Sequence, residues 1–174
     1  MDRTKQYILD LTQPPTEPVT FVYDLDHYYW TELAGDEILD GDVRAEVRVE
    51  PLRGVYKLVF GFRGEVVVTC DRCLTPLTYS VDTEEEVPLE LGDETDDTGD
   101  IVVVDRNKPL YNMAWLMYEL IALTLPMKRM HAPEDCDPEM MAYLEKATTS
   151  AEASVADPRW QELRHKYEEG NNNN

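Results

Sequence analysis

The chain is short of basic residues. Only 16 lysines and arginines stand against 36 acidic side chains, a formal net charge of −20 over 174 residues. Affinity for nucleic acid comes largely from neutralising phosphates with Lys and Arg, so this shortage excludes a general RNA-coating protein and points to basic protein partners. A solvated surface with no partner explains the same charge. No run of about 18 apolar residues occurs, which excludes a membrane-spanning helix. The first residues, Met1-Asp2-Arg3-Thr4-Lys5-Gln6, are polar and carry no secretory signal, so a soluble cytoplasmic protein without a membrane partner is expected. Histidine is confined to His27, His131 and His165. No Ser-His-Asp order, phosphate-cradling glycine loop or distinct carboxylate pair appears, and a non-enzymatic protein is expected. Cysteine is scarce as well: there are three, an odd number that suits no closed disulfide framework.

Those three cysteines carry the most specific pattern in the chain. Cys70 and Cys73 form a C-x-x-C pair, whose tight turn aims both thiolates at one point about 2.3 Å from each sulfur. A tetrahedral metal needs a second pair, and His131 with Cys136 supplies it. The expected site is structural zinc on Cys70, Cys73, His131 and Cys136, and it requires the two pairs to meet within about 10 Å, a few metal–ligand bond lengths. Other readings of the same residues stand beside it. Free cysteines are often small buried hydrophobes. A thioredoxin-like redox pair needs the motif to open a helix, whereas here it leads into Leu74-Thr75-Pro76-Leu77-Thr78-Tyr79, a β-like run. With 43% hydrophobic residues the chain can bury a core without metal.

Along the chain, Pro14, Pro15 and Pro18 predict an extended lead-in, with Tyr7, Ile8 and Leu9 as an edge strand. Val19 to Tyr23 reads as β. His27-Tyr28-Tyr29-Trp30 is either an RNA-stacking patch or core packing. Val43, Ala45, Val47 and Val49 alternate with Arg44, Glu46, Arg48 and Glu50, a half-buried strand. Pro51 to Gly54 turns the chain, Val55 to Phe62 forms a second strand, Arg63-Gly64 breaks it, and Glu65 to Cys70 forms a third. Leu77 to Glu90 is a fourth, so the cysteine pair closes a hairpin. Residues 82 to 100 hold ten acidic and no basic side chains. Gly92 to Asp100 lacks the ligand spacing of a calcium loop and reads as a solvated loop. Ile101 to Val104 is a short strand.

Leu110 to Leu125 gives the strongest helix signal, with Met113, Leu116, Met117, Leu120, Ile121 and Thr124 on one stripe and Pro126 ending it. Asp137-Pro138 caps a helix over Glu139 to Ala147. Thr148 to Ala156 reads as a linker, Asp157-Pro158 begins a last short helix bearing Trp160, Leu163 and Tyr167, and Asn171 to Asn174 is a disordered tail. The expected class is α+β: an antiparallel β-sheet or partial barrel with one long packing helix and short C-terminal helices. It divides into a lead-in with an edge strand (1–40), a β-rich core with the metal knuckle and long helix (41–136), and C-terminal helices with a tail (137–174).

With these pieces in order the chain resembles the YceD family of bacterial and plastid proteins. The residues that carry the likeness are Cys70-Asp71-Arg72-Cys73-Leu74, Leu123-Thr124-Leu125-Pro126, His131 with Cys136, and Asp157-Pro158-Arg159-Trp160, within about residues 40 to 165. The resemblance implies a role in accumulation or processing of large-subunit (23S) ribosomal RNA, with a zinc site. It also implies a ribosomal protein, a pre-ribosomal particle or a processing nuclease as partner. Ribosomal RNA itself is reached through such a partner or by direct contacts from Arg72, Lys128 and Arg129. Two other classes remain beside the assembly factor. A metal-dependent RNA-processing hydrolase needs one ligand position left open for water. A thiol redox protein needs the cysteine pair metal-free.

Overall fold

The alternating run from Val43 to Val49 builds the strand it predicts. Val43, Ala45, Val47 and Val49 are fully buried, while the charged residues between them face outward. In the computed structural model, which describes residues 3–152, this run is the centre of β3 (Asp40–Leu52). A two-residue turn at Arg53-Gly54 joins it to β4 (Val55–Thr69), with Leu52 paired to Val55 and Gly54 in the left-handed region at φ 85°. β5 (Pro76–Gly92) returns alongside β4. With β2 (Val19–Leu25) and β6 (Val102–Asp105) these strands form a five-stranded sheet in the order β2-β3-β4-β5-β6. All neighbours are antiparallel except β5 and β6, and β2 and β6 stay apart as edges, so the sheet closes no barrel.

Arg63-Gly64 does not break the second strand. β4 runs unbroken for 15 residues because Gly64 marks a close approach between strands. A Cβ built there would lie 2.1 Å from the Asp42 carbonyl oxygen and 2.7 Å from the Val43 Cα, and its φ of 154° is one that side chains disfavour. Glycine inside a strand has this second meaning, and spacing alone does not separate the two. β5 also runs through a proline. Pro88 lies opposite Lys57, and β6 pairs with β5 only from Leu89 onward, so the missing N–H faces no partner strand.

The expected helix over Leu110 to Leu125 is shorter than its apolar pattern. Its first turn is a strand, β7 (Leu110–Asn112), paired antiparallel with β1 (Ile8–Asp10) in a separate two-stranded sheet. The Met113 amide donates to the Tyr7 carbonyl at 3.0 Å and the Asn112 side chain accepts from the Ala114 amide, which sets the start of α2 (Ala114–Thr124). α2 buries Ala114, Met117, Tyr118 and Ile121; Leu116 and Leu120 pack at the margin of the core, and Thr124 is exposed. Leu125, before Pro126, is extended, as the proline ring requires.

The first forty residues are more than an extended lead-in. Asp26 accepts from the Tyr28 and Tyr29 amides and starts α1 (His27–Leu33), a seven-residue helix that the aromatic run concealed. Tyr29 and Trp30 are core residues: Tyr29 donates its hydroxyl to the Ala114 carbonyl at 2.7 Å, and the Trp30 indole N–H is shared by the carbonyls of Leu25 and Gly41. The packing reading therefore holds for Tyr29 and Trp30, while His27 and Tyr28 are exposed.

These elements belong to a compact unit ending at Ala132; a second begins at Pro133. In that second unit Asp137 accepts from the Met140 amide at 2.8 Å and Pro138 opens α3 (Pro138–Glu152), as the cap predicts. The helix continues beyond Ala147 into the stretch expected as a linker, where the Thr148 hydroxyl bonds the Leu144 carbonyl. The expected helix at Asp157 and the tail from Asn171 lie outside the described residues. Gly61 and Gly64 then make opposite predictions on one strand. A Cβ at Gly61 meets only the Glu46 carbonyl oxygen at 3.9 Å, so Gly61→Ala is expected to leave stability within about 0.5 kcal/mol of wild type. Gly64→Ala is expected to cost about 2–3 kcal/mol or more through strain and displacement of β3, both read by urea unfolding.

Candidate metal centre

The last pair of the β4–β5 ladder is Thr69 with Pro76, and the knuckle lies between them. The Cys70 amide donates to the Thr75 carbonyl and the Leu74 amide to the Cys70 carbonyl, each at 2.9 Å. Leu74 turns the chain with a left-handed φ of 62°, a conformation that ordinary side chains rarely adopt. This tight loop turns its amides inward: the backbone N–H groups of Arg72 and Cys73 point at the Cys70 sulfur, joined by that of His131. Cys70 and Cys73 are buried.

The chain after α2 is tied to the knuckle by Asp71, the residue inside the C-x-x-C pair. Its amide donates to the Arg129 carbonyl at 2.6 Å, and its carboxylate accepts from the Arg129 amide at 2.7 Å. The Arg129 guanidinium is held by Glu37 and lies 4.0 Å from the second Asp71 oxygen. Two residues later His131 arrives with its ring oriented at both ends. Nε2 faces the Pro76 carbonyl at 3.2 Å and Nδ1 faces the Cys73 sulfur at 3.4 Å. A carbonyl can only accept, so Nε2 carries a proton, and Nδ1 is the nitrogen directed at the Cys73 sulfur. Cys136, also buried, completes the set, and the ligand atoms of Cys70, Cys73, His131 and Cys136 all lie within 4.8 Å of one another. A tetrahedral zinc with ordinary bond lengths holds its donors about 3.5–3.8 Å apart.

Electrostatics favour the thiolate. Burial raises the Cys70 thiol, but the N–H groups of Cys73, His131 and Arg72 outweigh it and hold the thiol below its usual range. The hydrogen bond to Cys73 acts foremost on His131, with Cys70 adding to it, and together they raise the imidazole above its usual value. Thiolate sulfur and imidazole nitrogen are the donors zinc prefers, and the Pro76 carbonyl behind His131 is the kind of support that metal-bound histidines use. The residues present therefore fit a zinc ion. A turn between strands, not a helix start, follows Cys70, and all three cysteines are free thiols.

Asp71 and Glu37 were not singled out from the sequence, and Thr75, whose hydroxyl lies 3.2 Å from the Cys73 sulfur, was passed over as well. The available signal was an acid between the two cysteines. Of the basic residues read as anion contacts, Arg129 meets carboxylates of its own chain. Arg72 is half-buried with Nη2 at 3.6 Å from the Met130 sulfur, and Lys128 is exposed. The acidic stretch at Gly92 to Asp100 gathers no metal-ligating group, and the Cys/His cluster is the one such group among the described residues.

Fold and cluster together define a small α+β protein whose sheet hairpin ends in a knuckle of metal-binding character. More specifically, the chain belongs to the YceD family: the family model described as "Large ribosomal RNA subunit accumulation protein YceD" matches residues 58–165, well over half of the sequence. The match begins inside β4, later than the resemblance at about residue 40 anticipates. No curated protein and no solved structure matches the chain. No helix among the described residues is long and apolar enough to cross a membrane.

Replacing Asp71 tests the tie between the two arms. Asp71→Ala removes the acceptor of the Arg129 amide, and a hydrogen bond of about 1.4 kcal/mol corresponds to tenfold. Amide hydrogen exchange at Arg129 is expected to speed up by about that factor while the amides of β3 exchange as in wild type.

Proposed function

We propose that the protein is a non-enzymatic ribosome-biogenesis factor that promotes accumulation or processing of large-subunit (23S) ribosomal RNA. It acts in the cytoplasm on a pre-ribosomal particle, through a basic ribosomal protein. Membership of a family named for large ribosomal RNA accumulation carries this reading. The charge of −20 supports a protein partner over direct coating of RNA, since phosphate contacts need cations and the 16 here are outnumbered by 36 acidic side chains.

In this reading Cys70, Cys73, His131 and Cys136 hold a structural zinc. When bound, the ion supplies a cross-link between the hairpin turn and the chain beyond α2; the chemistry of the four donors is what supports it. The Asp71–Arg129 bonds bring His131 to the knuckle, the Pro76 carbonyl fixes its tautomer, and inward N–H groups stabilise the Cys70 thiolate. Four protein donors would fill a tetrahedral shell, which weighs against a hydrolase that activates water on the metal. Metal would also mask the thiols, which weighs against a redox pair.

Two measurements test this. Elemental analysis of purified wild type is expected to give about one zinc per chain, lost in Cys70→Ser together with part of the thermal stability, because ligand binding is coupled to folding. Equal metal content in the two proteins overturns the site. Separately, cells depleted of the protein are expected to show a fall in mature large-subunit rRNA relative to small-subunit rRNA by RNA quantification. An unchanged ratio overturns the biogenesis role.

A further inference from the structure

Helix α2 carries a single charged residue, Glu119, between Ala114 and Thr124. A helix apolar on every side normally lies within a core. α2 buries one stripe and leaves the other uncovered: Trp115 is 47% exposed, Leu123 81%, and Met127, just past its end, 100%. Leu123 and Met127 wall a groove of about 480 Å³, with Ala122 and Pro126 beside them and Tyr118 at its side. Its mouth is acidic. Glu119 and Glu37 line it, and the one guanidinium there, Arg129, is already met by Glu37 and Asp71.

Next to the groove is a rigid aromatic platform. Trp115 stacks on Tyr118 with ring centroids 5.0 Å apart and an interplanar angle of 17°, and its indole N–H donates to Glu119 at 2.7 Å. The Tyr118 hydroxyl accepts the Glu37 amide at 3.0 Å, which fixes the lower ring. An exposed indole face beside a carboxylate that pairs with no cation among the described residues is suited to a lysine or arginine, by cation–π attraction and charge. The carbonyl end of α2 adds negative potential at the groove, beside Leu123 and Met127.

We propose that this side of α2, from Trp115 to Met127, docks a basic protein segment. An apolar side chain of the segment enters the groove between Leu123 and Met127, and a lysine or arginine lies against Trp115 and Glu119. The proposal rests on the reading of a basic ribosomal protein as partner and names the surface that receives it. Nucleic acid is disfavoured, since the groove is apolar and offers phosphates no unpaired cation. A second copy brings another charge of −20 and no basic complement.

The test immobilises the full chain and passes over it the proteins extracted by high salt from purified large ribosomal subunits, with retained proteins identified by mass spectrometry. Wild type is expected to retain one or a few basic proteins. Leu123→Glu and Glu119→Lys, both at exposed positions, are each expected to reduce retention about tenfold or more, as truncation of an interface anchor does. Circular dichroism and zinc content unchanged from wild type show that the variants fold. Equal retention by wild type and both variants overturns the docking surface while leaving the basic-partner reading intact. No retention by wild type overturns that reading and the surface with it. Self-association of wild type abolished by Leu123→Glu in sedimentation assigns the groove to a second copy and overturns the proposal.

Discussion

Two hydrogen bonds between Asp71 and Arg129, of 2.6 and 2.7 Å, join a hairpin turn to a segment 58 residues downstream. Everything distinctive about the knuckle depends on them. They require Asp71 to sit inside the C-x-x-C turn, where its backbone and its carboxylate both face Arg129, and they place His131 with one nitrogen on a sulfur and the other on a carbonyl. Glu37 neutralises the Arg129 guanidinium, so a charge that is only about one fifth exposed has a partner, as partly buried charges need. The meeting of His131 with the cysteine pair of the hairpin is thus built by the protein's own hydrogen bonds.

The distribution of charge follows a similar economy. On the outer face of the sheet Arg44 and Arg63 stand directly opposite each other across β3 and β4, a repulsive pairing in isolation. Asp24 and Asp82 flank them at 3.8 and 3.2 Å, and Lys57 lies between Glu50 and Glu86 in the same way. Such exposed pairs contribute little stability. Their effect is on recognition: several of the few basic side chains are matched on this face, so the surplus of negative charge is what a partner meets. Against that background the exposed apolar side chains of α2 stand out, with Leu123 and Met127 among the most exposed of the large hydrophobics.

Much of the fold was legible where a residue pattern had one physical meaning. Strict alternation in β3 and β5, proline after Leu125 and an Asp-Pro cap at Asp137 each have one, and each element is found where its pattern lies. In other places a pattern had two meanings and the one chosen failed. Gly64 reads equally well as a strand break and as a point of close contact, and only the proximity of Asp42 and Val43 decides between them. The apolar stretch from Leu110 fits a helix until Tyr7 takes the Met113 amide and β1 takes the backbone of Leu110–Asn112. α1 was concealed because seven residues are too few for a periodic signal, although Asp26 marked its start.

The amino-acid sequence by itself determined the class of fold and the acidic surface, and it picked out the four residues of the candidate cluster, because composition, period and the chemistry of cysteine and histidine are properties of residues. The tertiary structure alone decided that the donors converge, which nitrogen of His131 faces the sulfurs, that Arg129 is consumed by Glu37 and Asp71, and that one side of α2 is left bare. These depend on contacts between residues tens of positions apart, and no local pattern specifies a distance across a fold.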